Sequence, residues 1–149
     1  MQKTSRQTII LFLAVILGLY VLVERKEWFL EQPAQEIAVS SDRIAYLYEH
    51  RISDVQVEGE GSVKAILKDD LQGSRHQRFI LNISGGHTLL VSHNIDIAPR
   101  IDNLKKGDTV GFSGEYEWNE KGGVVHWTHH DPDKKHVGGW LEHHGRVYR

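Results

Sequence analysis

Apolar and polar positions change their spacing along the chain, and each change marks a different predicted element. Residues 9–23 are apolar without interruption and carry no charge. Residues 40–53 begin with two serines that suit a helix cap, and they place Ile44, Leu47 and Tyr48 on one helix face. Beyond this amphipathic helix, apolar and polar residues alternate in short runs that end at turn-forming residues, which is typical of β-strands.

The alternating part of the chain predicts five strands. They are expected at residues 55–67, 76–84, 88–93, 109–118 and 124–129. A short helix is expected between strands three and four, with Asp96 as its N-cap and with Ile101 and Leu104 facing inward. This order, with a long first strand bent at its glycines, predicts a mainly β fold, a five-stranded OB-like barrel. A β-sandwich or another small barrel is the alternative.

The uncharged segment 9–23 predicts a transmembrane helix. It follows Lys3 and Arg6 and ends at the charged residues 24–27. As a helix it would rise about 22 Å against a hydrocarbon core of about 30 Å, so flanking residues must contribute to a span. No pair of small residues suitable for signal cleavage follows closely, so an uncleaved signal anchor is expected. A cleaved signal peptide and a buried core helix are the alternatives.

The predicted anchor also indicates a location. Lys3 and Arg6 favour an N-inside orientation, which makes the chain a single-pass protein of the inner membrane with its C-terminal domain in the periplasm. Three parts are then expected: a signal anchor with its flanks at residues 1–30, a linker and short helix at 31–54, and an OB-like barrel domain with a histidine-rich tail at 55–149.

Charge and cysteine content exclude several classes of function. Lys3 and Arg6 precede residue 23, so the rest of the chain has 16 basic and 20 acidic residues, a net charge of −4 with neutral histidine. A general nucleic-acid-binding protein would carry a cationic excess, so nucleic acid is not expected as a partner. The chain contains no cysteine, which excludes disulfides, thiolate metal sites and thiol catalysis.

Histidine is concentrated near the C-terminus. Nine of the ten histidines follow residue 75. Imidazole and carboxylate groups bind transition metals such as zinc, and the candidate metal ligands are His126, His129, His130, Asp131 and His136. On a continuous strand His126 and His130 would lie about 13 Å apart. A shared ion therefore requires the strand to end by Thr128.

A second set of polar residues is predicted to bind a ligand. Because strand ends converge at the rim of a barrel, His76 and His93 could meet His126 there. The predicted ligand-binding residues are His76, His93, Asp96 and Trp127. Simpler structural roles compete with this hypothesis: His76 as a turn residue, His93 at a strand end and Asp96 as a helix cap.

Strand four places two carboxylates two positions apart. Glu115 and Glu117 could act as a pair, although a solvated strand face is the simpler interpretation. Phe112, Tyr116 and Trp118 share the other face and are expected in the core, with an exposed stacking platform as the alternative. No catalytic residue is identified, and enzymatic activity stays open.

Four segments and the C-terminal stretch carry a family resemblance. They read HQRFIL, HNIDIAPRI, GEYEWN, HWTHHDP and GGWLEHHGRVY. From about Gly59 to Tyr148 the chain resembles a bacterial family of small proteins that is known only as a domain of unknown function. The resemblance implies a short membrane-anchored or secreted protein of Gram-negative bacteria, and it implies no activity.

Three functions are compatible with these patterns. The first is a membrane-anchored, extracytoplasmic OB-like binding module with a histidine-rich polar site, whose partner is an envelope protein or a small ligand. The second is a metal-dependent hydrolase of the zinc type, in which Asp131, Asp96 or Glu115 polarises a metal-bound water. The third is a structural envelope protein whose histidines respond to pH.

Overall fold

The computed structural model describes residues 42–149, which contain one α-helix and seven β-strands. Helix α1 covers residues 42–49 and buries Ile44 and Leu47, as the amphipathic spacing predicts. The predicted transmembrane segment 9–23 lies outside the described residues. Within residues 42–149, no helix has the length and hydropathy needed to cross a membrane.

Seven strands follow α1 along the chain. They are β1 (Val55–Ile66), β2 (His76–Asn82), β3 (Thr88–Asn94), β4 (Thr109–Glu117), β5 (Val124–His126), β6 (Trp140–His143) and β7 (Arg146–Tyr148). The first five agree closely with the five predicted strands. β5 is shorter than expected because Trp127 adopts a left-handed backbone conformation, with φ of 52°, and ends the strand.

The first five strands close into a barrel in the order β1-β2-β3-β5-β4, with β4 returning to β1. Residues 55–62 of β1 pair with β4, and residues 62–66 pair with β2, so one long strand serves both halves as predicted. A β-carbon at Gly61 would lie 2.7 Å from the Asn82 carbonyl oxygen, so the strand requires glycine at this bend. β3 and β5 pair in parallel, and the other pairs are antiparallel.

The core consists of the barrel interior together with residues of α1, of the β3–β4 connection and of β6 and β7. Alternate residues of each strand point inward, because the side-chain period of a strand is two. Buried apolar side chains from the strands include Val57, Val63, Phe79, Leu81, Leu89, Val91, Val110, Phe112, Tyr116 and Val125. Each such side chain contributes about 1.5–3 kcal/mol through the hydrophobic effect. Phe112 and Tyr116 are therefore core residues, as predicted, whereas Trp118 is only partly buried against the core.

The predicted helix between strands three and four is wrong, and so is the role of Asp96 as its cap. Residues 95–107 form turns instead. The Gln77 side-chain amide donates to the Ile101 carbonyl oxygen and accepts from the Ile101 N–H, both at 2.9 Å. The buried Gln77 side chain thus already forms the hydrogen bonds that the Ile101 backbone requires. The segment does not have to form a helix to satisfy them. Ile101 and Leu104 still face inward, as expected.

The C-terminal residues form a hairpin that the sequence did not predict. β6 and β7 pair through a two-residue turn at His144 and Gly145, whose φ angles are 51° and 74°. Two positive φ angles are the signature of the turn that suits a two-residue hairpin. β6 pairs with residues 110–113 of β4, next to the part of β4 that pairs with β5.

Candidate functional site

The outer face of β2, β3 and β5 carries two adjoining concave surfaces. The first, which we call the histidine cleft, has a volume of about 170 Å³. It is lined by His76, Ser92, Asn94, Ile97, His126, Trp127 and His129. The strands explain this convergence, because alternate residues of three neighbouring strands point outward at the same end of the barrel. Four residues of the two predicted site sets thus lie together: His76, His126, Trp127 and His129.

The second surface, which we call the apolar groove, has a volume of about 760 Å³. It lies between the β1–β2 and β4–β5 connections. Its lining residues are Leu67, Arg78, Ile80, Thr88, Leu90, Trp118, Asn119, Glu120, Lys121 and Gly123. β3 contributes outward residues to both surfaces, Thr88 and Leu90 to the groove and Ser92 and Asn94 to the cleft. Sequence reasoning missed the groove, since its residues come from four separate segments.

His93 does not line the cleft. Its side chain points inward and is completely buried. Its Nε2 lies 3.1 Å from the Pro99 carbonyl oxygen and donates to it, and its Nδ1 accepts from the Thr128 hydroxyl at 2.8 Å. Burial lowers the pKa of His93 to about 4, although the hydrogen bond to Pro99 opposes this shift. His93 is therefore a neutral core residue that holds two connections together.

Asp96 also lies outside the cleft. Its carboxylate accepts the Arg75 backbone N–H at 2.8 Å and forms an ion pair with the Arg75 side chain. The backbone hydrogen bond is the main reason that the pKa of Asp96 is lowered, and the guanidinium adds to it. His76, on the neighbouring strand, has its Nδ1 2.7 Å from the Ser74 carbonyl oxygen. Asp96 thus fixes the connection that enters β2.

The predicted metal ligands of the loop after β5 do not converge. His129 is buried with its Nδ1 2.9 Å from the His130 carbonyl oxygen, while the His130 side chain is exposed. The Asp131 carboxylate accepts backbone N–H groups of Asp133, Lys135 and His136 at 2.7–2.9 Å. Desolvation acts to raise the pKa of Asp131, but these hydrogen bonds outweigh it and lower the pKa. Asp131 therefore organises the loop.

His126 instead meets two carboxylates on the outside of β4 and β5. Glu115 is its direct register partner, and Glu117 is two residues further along β4. His126 Nε2 lies 3.5 Å from Glu115 Oε1 and 4.0 Å from Glu117 Oε1. Partial burial lowers the pKa of His126, and the two carboxylates oppose this shift. We call Glu115, Glu117 and His126 the carboxylate–histidine cluster.

His136 joins this cluster from the loop. Its Nε2 lies 3.0 Å from Glu115 Oε2, and its ring stacks on Trp127 with a centroid distance of 4.1 Å and an interplanar angle of 5°. Sequence reasoning selected His126 and His136 as metal ligands, but it preferred a solvated strand face for the two glutamates and did not count them as ligands. The register that opposes Glu115 to His126 is the missing information, because it depends on how β4 and β5 pair.

The fold and this surface define a class of protein: a small closed β-barrel with a polar, histidine-lined outer face. Residues 29–149 match a family described as "Protein of unknown function (DUF3465)", and the chain belongs to that family. The resemblance expected from the sequence is thereby confirmed. A search of curated proteins finds no match.

Proposed function

We propose that this protein is an OB-type binding module that holds its ligand against the outer face of β2, β3 and β5. The strand order 1-2-3-5-4-1, with β3 and β5 parallel, is the arrangement expected of an OB barrel. OB domains bind ligands on the face of strands two and three, between the connections 1–2 and 4–5. The observation that carries the proposal is that the apolar groove occupies this position.

The lining of the groove favours a ligand with apolar surfaces. Ile80 and Leu90 contribute aliphatic side chains. Trp118 donates its indole N–H to the Tyr48 carbonyl oxygen at 3.0 Å, and Arg78 donates to the Lys68 carbonyl oxygen at 3.0 and 3.2 Å. These polar atoms are therefore already paired within the protein. The ring and the aliphatic stem can still contact a ligand.

The adjoining histidine cleft adds hydrogen-bonding groups, namely the Ser92 hydroxyl, the Asn94 amide and imidazoles. A glycan combines apolar ring faces with hydroxyl edges, and it is the uncharged ligand class that OB barrels are known to accept. The excess of acidic residues beyond residue 23 opposes an anionic polymer. The ligand class we propose is a neutral oligosaccharide.

The test is saturation-transfer NMR on the full-length protein in phosphatidylcholine nanodiscs. Chitotetraose is the neutral probe, and a thymidine decamer is the anionic one. We expect transfer to chitotetraose and its loss in Leu90→Glu, because a charged carboxylate replaces apolar surface in the groove and would have to be desolvated by the bound sugar. Lys64→Glu, at an exposed β1 position outside the groove, is the control. Transfer to the decamer alone would overturn the ligand class, and transfer to neither probe would overturn the binding role.

The alternative hydrolase function has less support. Of the three carboxylates considered for it, Asp96 is paired with Arg75 and Asp131 holds three backbone N–H groups. Glu115, by contrast, lies beside the imidazoles of two predicted metal ligands, His126 and His136. We further propose that residues 9–23 anchor the module in the inner membrane and that the barrel faces the periplasm. The uninterrupted apolar segment and the basic residues before it support this topology.

A further inference from the structure

We infer that Glu115, Glu117 and His126 form a binding site for a divalent transition-metal ion of the zinc type. This site goes beyond the proposed glycan-binding role, because the two glutamates line neither the cleft nor the groove. It also differs from the metal site expected from the sequence, with which it shares only His126.

Strand geometry brings the three side chains together. Glu115 and Glu117 both point outward from β4, and His126 points outward from β5 directly opposite Glu115. One ligand atom from each residue lies within 4.8 Å of the other two. Carboxylate oxygen and imidazole nitrogen are the donors that zinc accepts in the absence of cysteine. The backbone therefore preorganises a three-ligand set on two paired strands.

The imidazole of His126 has an unsatisfied polar atom that could coordinate a metal ion. Its Nε2 is buried and has no hydrogen-bond partner among residues 42–149. Its distances of 3.5 and 4.0 Å to the two carboxylates exceed those of an N–H···O hydrogen bond. Two ligands of one tetrahedral zinc ion, with bonds of about 2.0–2.2 Å, lie about 3.3–3.6 Å apart. The spacing to Glu115 agrees with shared coordination.

Neighbouring residues hold the cluster in place. His136 Nε2 lies 3.0 Å from Glu115 Oε2, so Glu115 keeps its other oxygen toward His126. His136 is fixed in turn by its stack on Trp127. Outer partners of this kind orient metal ligands. Trp127 has a φ of 52°, a conformation that costs a bulky residue about 1–3 kcal/mol and is found preferentially at functional sites.

A second group of potential ligands serves as a comparison. Asp108, His143 and His144 also bring their ligand atoms within 4.8 Å of one another. However, His143 Nε2 lies 2.8 Å from Asp108 Oδ2, at hydrogen-bond distance, and the Asp108 carboxylate also accepts the Lys105 N–H at 2.9 Å. These polar atoms are satisfied without an ion. The unmet Nε2 therefore distinguishes the carboxylate–histidine cluster.

The test is calorimetric titration of the full-length protein in nanodiscs with Zn²⁺, supported by the visible spectrum of the Co²⁺-loaded protein. We expect one zinc ion per chain and the intense absorption of tetrahedral cobalt. Both signals should disappear in His126→Ala and in the nearly isosteric Glu117→Gln. His136→Ala should weaken binding about 10- to 100-fold, as the loss of an orienting partner does. His144→Ala, an exposed member of the comparison group, should bind zinc normally.

Circular dichroism of each variant establishes whether its fold persists. If His126→Ala unfolds, zinc binding by Glu117→Gln is the test of the site. Undiminished zinc binding in Glu117→Gln, or loss of binding in His144→Ala alone, would overturn the site. Failure of the wild-type protein to bind zinc or cobalt would do so as well. Chitotetraose binding is measured separately, so failure of the glycan proposal and failure of the metal site are distinguishable.

Discussion

Among the individual residues, buried His93 is expected to make stability depend on pH. Its pKa is about 4 in the folded protein, against 6.5 for an unperturbed histidine. The unfolded chain therefore binds more protons between these values, and stability should fall as the pH decreases from about 6.5 to about 4. A shift of this size corresponds to about 3 kcal/mol at its limit. Urea denaturation of the full chain at a series of pH values measures this loss.

The matched variant for this prediction is His93→Gln, which keeps an amide able to hydrogen-bond but does not titrate. Its free energy of unfolding should be lower than that of the wild type at pH 7.5 and should change less between pH 6.5 and 4. If the wild type and the variant lose stability in parallel over this range, His93 is not the responsible group.

The candidate site could be predicted from the sequence only in part, and single residues show why. The density of histidines identified His76, His126, Trp127 and His129, which do line one cleft. It also selected His93, because Leu89, Leu90 and Val91 are consecutive apolar residues and do not show which face of β3 points inward. Glu115 and Glu117 were not counted among the metal ligands, since their position beside His126 depends on the register with β5. The sequence therefore identified the residue types of the site, but it did not show which side chains meet in the folded protein.

The loop between β5 and β6 packs so closely on β4 that one glycine should be irreplaceable. A β-carbon at Gly139 would lie 2.1 Å from the Ser113 carbonyl oxygen and 2.4 Å from that of Trp127. At the adjacent Gly138, the nearest atom would be the His130 Cα at 3.3 Å. Gly139→Ala should therefore lower the free energy of unfolding by about 1–3 kcal/mol or more, as overpacking does.

Gly138→Ala is the control for this prediction and should change stability much less. Chemical denaturation of the two variants beside the wild type makes the comparison. Equal effects of the two substitutions would show that the loop can move away from β4.

Secondary-structure elements were more predictable than their connections. The five barrel strands follow from apolar alternation, because each strand has one face in the core. The helix expected before β4 failed because remote side chains, Gln77 and His93, take the hydrogen bonds of that segment. The β6–β7 hairpin was missed because its strands have only four and three residues. Its turn at His144 and Gly145 was the available signal.

At the scale of the whole molecule, residues 9–23 should keep the full chain in the membrane. After extraction with alkaline carbonate, the wild-type protein is expected in the membrane fraction at its full mass of 17.1 kDa. Deletion of residues 9–23 should leave it in the soluble fraction. Alkaline phosphatase fused after Arg149 should be active, because that enzyme matures only outside the cytoplasm. A shorter mature mass would indicate cleavage, and an inactive fusion would contradict the periplasmic orientation.

Closure of the barrel between β1 and β4 determines when the protein can fold. Val57 pairs with Gly114, so strands that are distant in the chain must meet before the barrel exists. Contacts between such distant segments form slowly. At a synthesis rate of about 5–20 residues per second, Gly114 is added roughly 3–11 s after its pairing partner Val57. The growing chain thus stays open until β4 emerges, which is the condition in which a protein can be threaded through a narrow export channel.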